Sequence, residues 1–319
     1  SLITDINQLL IQNVEIYDEY LLDVEALSEN IGLSNWHDEK QWNMAKFPFS
    51  QKYIPLYADN LCRLISAVKG KSRRCIVLDL DNTLWGGVIG DDGLDGIAIG
   101  QGDIAGESFL SFQNTLLKLR DRGIVLAVCS KNDERIAKQV FLEHPEMLIK
   151  MEHIASFKAN WNDKASNIKA IAEELSLGLD SFVFVDDNPM ERELVRNFLP
   201  MVAVPEMPND PSLYTNVLLS AGYFESVVFS GEDKLRADTY QKNQKRKSLL
   251  SESNNLDEFL HSLEMELDIQ MMDSISKLRV VQIINKSNQF NLTTRRYTLQ
   301  QIEKMDQEDD TYIIQVRLK

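Results

Sequence analysis

Cysteine and histidine are scarce in this 319-residue chain, which has three of the first (Cys62, Cys75, Cys129) and four of the second (His37, His144, His153, His261). The cysteines lie far apart and form no CxxC pair, and the histidines form no ligand-spaced cluster. That excludes a disulfide framework and a zinc site. Basic charge is also short: 34 Lys+Arg against 49 Asp+Glu leave a net charge of −15. A surface for a phosphate backbone must be basic, so nucleic acid is excluded as the main ligand. A phosphorylated small molecule, held by a metal and a few local donors, is not excluded. There is no run of about 18 or more apolar residues, so no membrane span is expected. The opening Ser1-Leu-Ile-Thr-Asp-Ile has neither a basic nor an apolar signal region, and the expected compartment is the cytoplasm. Internal repeats and low-complexity segments are missing too. What remains is ordinary globular composition, 44% hydrophobic and 26% charged, enough for one large domain or two to three smaller units.

Three textures follow one another along the chain. Residues 1–70 read as helical, with Leu9, Leu10, Tyr17, Leu21, Leu22 and Tyr57, Leu61, Leu64, Ile65, Val68 at helical spacing, interrupted by an aromatic segment carrying Trp36, Trp42, Phe47 and Phe49. Residues 71–225 alternate strands and helices. Strands are expected at Cys75–Asp79, Ile124–Cys129, within Ile149–Phe157, at Phe182–Asp186 and at Met201–Val204. Helices are expected at Phe109–Arg122, Asp133–Glu143 and Asp163–Leu175. This alternation predicts an α/β fold with a doubly wound parallel sheet. Residues 226–319 form a smaller α/β unit: a polar helix over 232–250, helices at 256–263 and 275–284, and a strand at Thr311–Arg317. A strand at the very end and the lack of an initiator Met are what a segment cut from a longer protein would show.

The chemistry concentrates at strand ends. Asp79 and Asp81 stand two apart after the first apolar strand, followed by Thr83, where both carboxylates reach the cleft of an open sheet. One can attack phosphorus while the other protonates the leaving oxygen. Asp186 and Asp187 end another apolar strand, where charge is costly unless paired or bound to a cation. Two acidic strand ends in one sheet make an oxygen-only site suited to Mg²⁺. The same stretch also reads as a helix cap, with Asp187 or Asn188 before Pro189. Ser130 after the second strand suits a phosphate oxygen. Lys164, opening a helix, suits the charge of a phosphoryl transition state, or is a plain surface lysine.

The order Asp79-x-Asp81-x-Thr83, Ser130, Lys164, Asp186-Asp187 resembles the haloacid dehalogenase (HAD) superfamily of phosphotransferases. The longer stretches 79–93, 128–133, 184–192 and 288–297 are similar to its FkbH-type glyceryl transferase/phosphatase family from polyketide pathways. The resemblance implies a HAD-like Rossmannoid core with a small flap cap, and a defined reaction. The glyceryl unit of 1,3-bisphosphoglycerate is loaded onto the phosphopantetheine thiol of an acyl carrier protein, and both phosphates are removed. It further implies Asp79 as nucleophile, Asp81 as general acid/base, and Ser130 and Lys164 as phosphate ligands. Mg²⁺ would be held by Asp79, the backbone carbonyl of Asp81, and Asp186 or Asp187.

Several residues keep two readings. Cys129, beside Ser130, is the natural choice if an enzyme thiol carries the acyl group, and otherwise a small buried hydrophobe. Lys131 and Asn132 either hold the substrate's second phosphate or cap the next helix. The basic run 242–247 either docks an acidic carrier or is a solvated helix face. Arg295-Arg296 is a further candidate contact. The glycine-rich 86–106 fits a small hairpin flap rather than a dinucleotide fingerprint. The rival functions are a plain Mg²⁺-dependent phosphatase acting on a phosphomonoester or phosphoprotein, and a non-catalytic carrier-docking module. The intact acidic and lysine positions argue against the last.

Overall fold

The computed structural model describes residues 2–17, 19–226, 266–273, 276–286, 295–308 and 310–318. The chain divides into two compact units, Ser1–Ser72 with Glu225–Val228, and Arg73–Phe224 with Phe229–Lys319. The first unit is helical, with α1 (Leu2–Tyr17), α2 (Val24–Ile31), α3 (Leu33–Trp36), α4 (Glu39–Ala45) and α5 (Ile54–Val68). Asp23 and Asp38 cap α2 and α4 by accepting from Ala26 N and Gln41 N. Trp36 is buried and stacks on Phe49 and Tyr53, with centroids 4.6 and 5.6 Å apart, so the aromatic segment packs within its own unit.

The second unit holds a four-stranded parallel sheet, β1 (Cys75–Leu78), β2 (Val125–Ser130), β3 (Ile154–Ala159) and β4 (Phe182–Val185), in the order β3-β2-β1-β4. The helices are α6 (Ile89–Gly96), α7 (Ile104–Asp121), α8 (Glu134–Glu143), α9 (Lys164–Leu175), α10 (Pro189–Phe198) and α11 (Tyr214–Ser220). Side-chain alternation divides the strands between two cores. Ile76, Leu78, Leu126 and Val128 pack with Phe109, Phe112, Leu116 and Phe141. Val77, Val125, Ala127 and Cys129 pack with Ile168, Ile171, Leu175 and Val195. A sheet covered on both faces needs strands apolar at every position, which explains their unbroken hydrophobic runs. The chain moves from β1 outward through β2 to β3 and then returns to β4 on the other side of β1. The carboxyl ends of β1 and β4 therefore flank the switch point where such sheets bind ligands.

Two expectations need correction. Met201–Val204 is not a strand. Ala203 makes a single parallel bridge to Val183, and Pro205, which lacks an N–H, prevents the ladder from continuing. The flap is not a plain hairpin: Gly86 and Ala98 pair through two backbone hydrogen bonds of 3.0 and 2.8 Å, and the loop they close contains α6. Gly87 (φ 93°) turns the chain there, and its N–H donates to Asn82 Oδ1. Towards the C-terminus, β5 (Leu267–Met271) and β6 (Ile314–Leu318) form an antiparallel ribbon, with α12 (Lys277–Lys286) and α13 (Leu299–Asp306) between them in sequence. Met272, Val280 and Ile302 form their small core. The helices expected at 232–250 and 256–263, the basic run 242–247 and positions 288–294 lie outside the described residues.

Candidate active site

Strand register brings the acidic residues together. Leu78 pairs with Val185, so Asp79 and Asp186 emerge side by side, and Asp79 N donates to Val185 O at 2.9 Å. Asp79, Asp186 and Asp187 each offer a carboxylate oxygen within 4.8 Å of the others. Lys164, delivered by the first turn of α9 and only 3% exposed, contacts Asp79 Oδ1 at 2.8 Å and also pairs with Asp186 Oδ2. It is therefore no surface lysine. Burial opposes its charge, but Asp79 and Asp186 outweigh burial and hold its ammonium above the ordinary lysine range. Burial, reinforced by the Asp79 charge and opposed by Lys164, pushes the Asp186 carboxyl up to about 7. Asp187 is raised by burial and by Asp79 as well.

One ammonium thus faces three converging carboxylates, an excess of negative charge in a partly desolvated place. A donor set made of carboxylate oxygens alone, with no nitrogen or sulfur, suits a hard divalent cation such as Mg²⁺. The residues present fit that ion.

Capping at 186–188 falls to Asn188, which leaves the carboxylates of Asp186 and Asp187 in the acidic cluster. Asn188 caps α10 by accepting from Met190 N at 2.9 Å, and Asp186 Oδ1 accepts from Asn188 N at 2.8 Å. Asp187 keeps its carboxylate for the cluster, while its N–H donates to the buried Thr83 hydroxyl at 3.2 Å.

Asp81 stands apart from the three-carboxylate cluster. Its Oδ1 accepts from Trp85 Nε1 at 2.9 Å and Ile89 N at 3.1 Å, and its Oδ2 from Asn132 Nδ2 at 2.8 Å. Burial raises its carboxyl above the usual range, although these hydrogen bonds work in the opposite direction. Asn132 also donates to Ser130 Oγ at 3.3 Å, so this buried amide ties the second motif to the first. Asp133, not Lys131 or Asn132, caps α8, accepting from Arg135 N and Ile136 N. Lys131 turns outward to Glu191 Oε1, 2.6 Å away.

The surroundings of Cys129 favour the small buried hydrophobe over the acyl carrier. Its side chain is fully buried in the core shared with α9, its Sγ lies 3.8 Å from Lys164 O, and burial pushes its thiol up to about 12. A thiol that stays protonated and inaccessible is a poor nucleophile. Cys129→Ala is expected to leave any phosphate release or acyl loading by this chain within about twofold of the parent, because a buried strand cysteine acts as a small hydrophobe. Loss of loading alone, measured by intact mass, would restore the covalent role.

Sequence reasoning missed the residues that hold this site from a distance. Tyr214 OH donates to Asn82 O across 132 positions, and no local pattern signals such a contact. Arg192 is buried beneath the acidic turn and shares a helix face with buried Val195, three positions on. That spacing, and its place at the end of the 184–192 stretch, were the available signals. Trp85 anchors Asp81 while filling the core.

No family model and no curated protein matches the chain. Among solved structures it is similar to the N-terminal part of the protein BF1531 from Bacteroides fragilis, which contains a phosphatase domain and was complexed with Mg. Identity is 40% and the TM-score 0.67 over 71% of this chain, which spans 60% of the length of that one. Two looser likenesses, each at 16% identity, are to a deoxy-D-mannose-octulosonate 8-phosphate phosphatase and a 3-deoxy-D-manno-octulosonate 8-phosphate phosphatase. The cobalt-bound form from Haemophilus influenzae has a TM-score of 0.32 over 52% of this chain and 99% of its own. The Moraxella catarrhalis enzyme, with magnesium, phosphate and KDO, has a TM-score of 0.28 over 62% and 97%. Overlaps that loose carry no argument. The sheet order, the strand-end chemistry and the similarity at 40% identity together give this chain the HAD-like Rossmannoid fold.

Proposed function

We propose that this chain is a Mg²⁺-dependent enzyme that transfers the glyceryl unit of 1,3-bisphosphoglycerate to the phosphopantetheine thiol of an acyl carrier protein, with loss of both phosphates, in polyketide biosynthesis. The observation that carries the phosphoryl chemistry is Lys164 Nζ between Asp79 and Asp186, with Asp187 completing the cluster. The similarity to a phosphatase domain complexed with Mg supports it. The acyl half is supported by the sequence resemblance over 79–93, 128–133, 184–192 and 288–297.

Asp79, Asp186 and Asp187 would hold the ion, which when bound offsets charge on the phosphoryl oxygens. Asp79 attacks the phosphorus of the C3 phosphomonoester, the P–O bond to the C3 oxygen of the glyceryl unit breaks, and Asp81 supplies that oxygen's proton. Water then attacks the aspartyl-phosphate as Asp81 takes back a proton, releasing phosphate and restoring Asp79. Lys164 and Ser130 hold the transferring phosphoryl oxygens, while Trp85, Ile89 N and Asn132 keep Asp81 aimed. In the acyl step the carrier thiolate attacks the C1 carbonyl, and phosphate leaves with the electron pair of the C1–O bond. No enzyme thiol is needed.

The test combines the protein, Mg²⁺, enzymatically generated 1,3-bisphosphoglycerate and a phosphopantetheinylated carrier, followed by intact masses of both proteins. The expected result is a glyceryl adduct without phosphate on the carrier and none on the enzyme. Free phosphate with neither protein modified would replace this reading with that of a plain phosphatase.

A further inference from the structure

We infer that Arg192 is a positioning residue that sets the divalent-cation affinity of the Asp186-Asp187 turn, and that Glu206 tunes it. The inference rests on the metal reading above. Arg192 is 3% exposed, although a guanidinium is costly to bury. Its Nη1 donates to two successive backbone carbonyls, Asp186 O at 3.0 Å and Asp187 O at 2.7 Å. These carbonyls lie beyond the end of β4, where the strand ladder no longer holds the backbone. One donor shared by both fixes the peptide plane between them, and with it the directions in which the two carboxylates leave the chain.

The opposite side of the guanidinium is held by Glu206, which Nη2 contacts. Glu206 is held in turn by Arg196 at 2.5 Å, and Arg196 also donates to Val204 O at 3.1 Å. The clamp therefore joins α10 to the segment after Ala203 and ends at the acidic turn. Glu206 has an electrostatic role as well: a bare guanidinium beside the cluster would repel a cation, and its carboxylate offsets that charge. Outer partners that orient metal ligands typically change metal affinity by about 10- to 100-fold when removed.

The test is calorimetric titration of MgCl₂ into the intact chain, without substrate. Arg192→Met is expected to weaken Mg²⁺ binding at least about tenfold, and Arg192→Lys, which keeps one donor for the carbonyls, by less. Val195→Ala is the control, because it removes buried packing from the same helix without touching either carbonyl. At a comparable loss of Tm it should bind Mg²⁺ as the parent does. Unchanged affinity in Arg192→Met, or an equal loss in Val195→Ala, overturns the inference. If Arg192→Met does not fold, Glu206→Gln at the exposed end decides: a severalfold weakening supports the clamp, and parental affinity overturns it. A parent chain that takes up no Mg²⁺ overturns the metal reading itself, a result distinct from a parent that binds and variants that bind equally.

Discussion

Asp79→Asn is expected to lower phosphate release by roughly a thousandfold or more, because the amide cannot attack phosphorus and no neighbouring carboxylate holds the same place at the end of β1. The variant is expected to be more stable than the parent in the absence of Mg²⁺, not less. Asp79 shares its site with Asp186 and Asp187 against the single ammonium of Lys164. Removing one of three like charges relieves repulsion that burial makes worse. Phosphate release assayed beside a thermal melt in EDTA separates the two effects. Turnover that persists in Asp79→Asn would sink the nucleophile assignment. A fall in Tm with EDTA would show that Asp79 contributes structure the charge argument omits.

Lys164→Met should have the largest effect on stability. The methionine retains most of the volume but leaves Asp79 and Asp186 without a cation in a place where Lys164 is 3% exposed and Asp186 fully buried. Breaking a buried ion pair from one side costs about 3–5 kcal/mol, which for a domain of this size lowers Tm by roughly 10 °C. Mg²⁺ should restore more of that loss in the variant than it adds to the parent, because the ion then replaces the missing ammonium charge among three carboxylates. At about 100 times its Kd a ligand stabilises by roughly 2.7 kcal/mol. The measurement is Tm against MgCl₂ concentration for both proteins. An unshifted Tm without metal would show that the two carboxylates do not depend on Lys164. The two variants thus move stability in opposite directions from the same site, a pattern that a general loosening of the core would not produce.

The parallel sheet was legible in the sequence because a strand buried on both faces must be apolar at every position. Cys75–Leu78, Val125–Cys129 and Phe182–Val185 all read that way. Their polar successors, Asp79, Ser130 and Asp186, were legible for the same reason: a charge or hydroxyl closing such a run must face the cleft or remain unsatisfied. The N-caps Asp133 and Asp163 are local too, each side chain reaching only two or three residues along its own chain, yet the sequence pattern begins both helices at these residues and offers Lys131 and Asn132 as the caps of the first. Periodicity could not distinguish Met201–Val204 from a strand, because Pro205 stops the pairing after one bridge.

Other assignments needed the fold. Cys129 is next to Ser130 in sequence, yet successive strand residues point to opposite faces, so one joins the cleft and the other the core of α9. Lys131 and Asn132 are neighbours too, but only the second meets Asp81. Arg192, Glu206 and Tyr214 act through contacts that chain connectivity does not encode. By itself the sequence determined which residue types close each strand, and hence the class of chemistry, because burial and hydrogen-bond satisfaction constrain every strand end alike. Which carboxylates converge, which amide aims Asp81 and which thiol is shut away were decided only by the tertiary structure, because register and facing direction belong to pairs of segments and not to either segment alone.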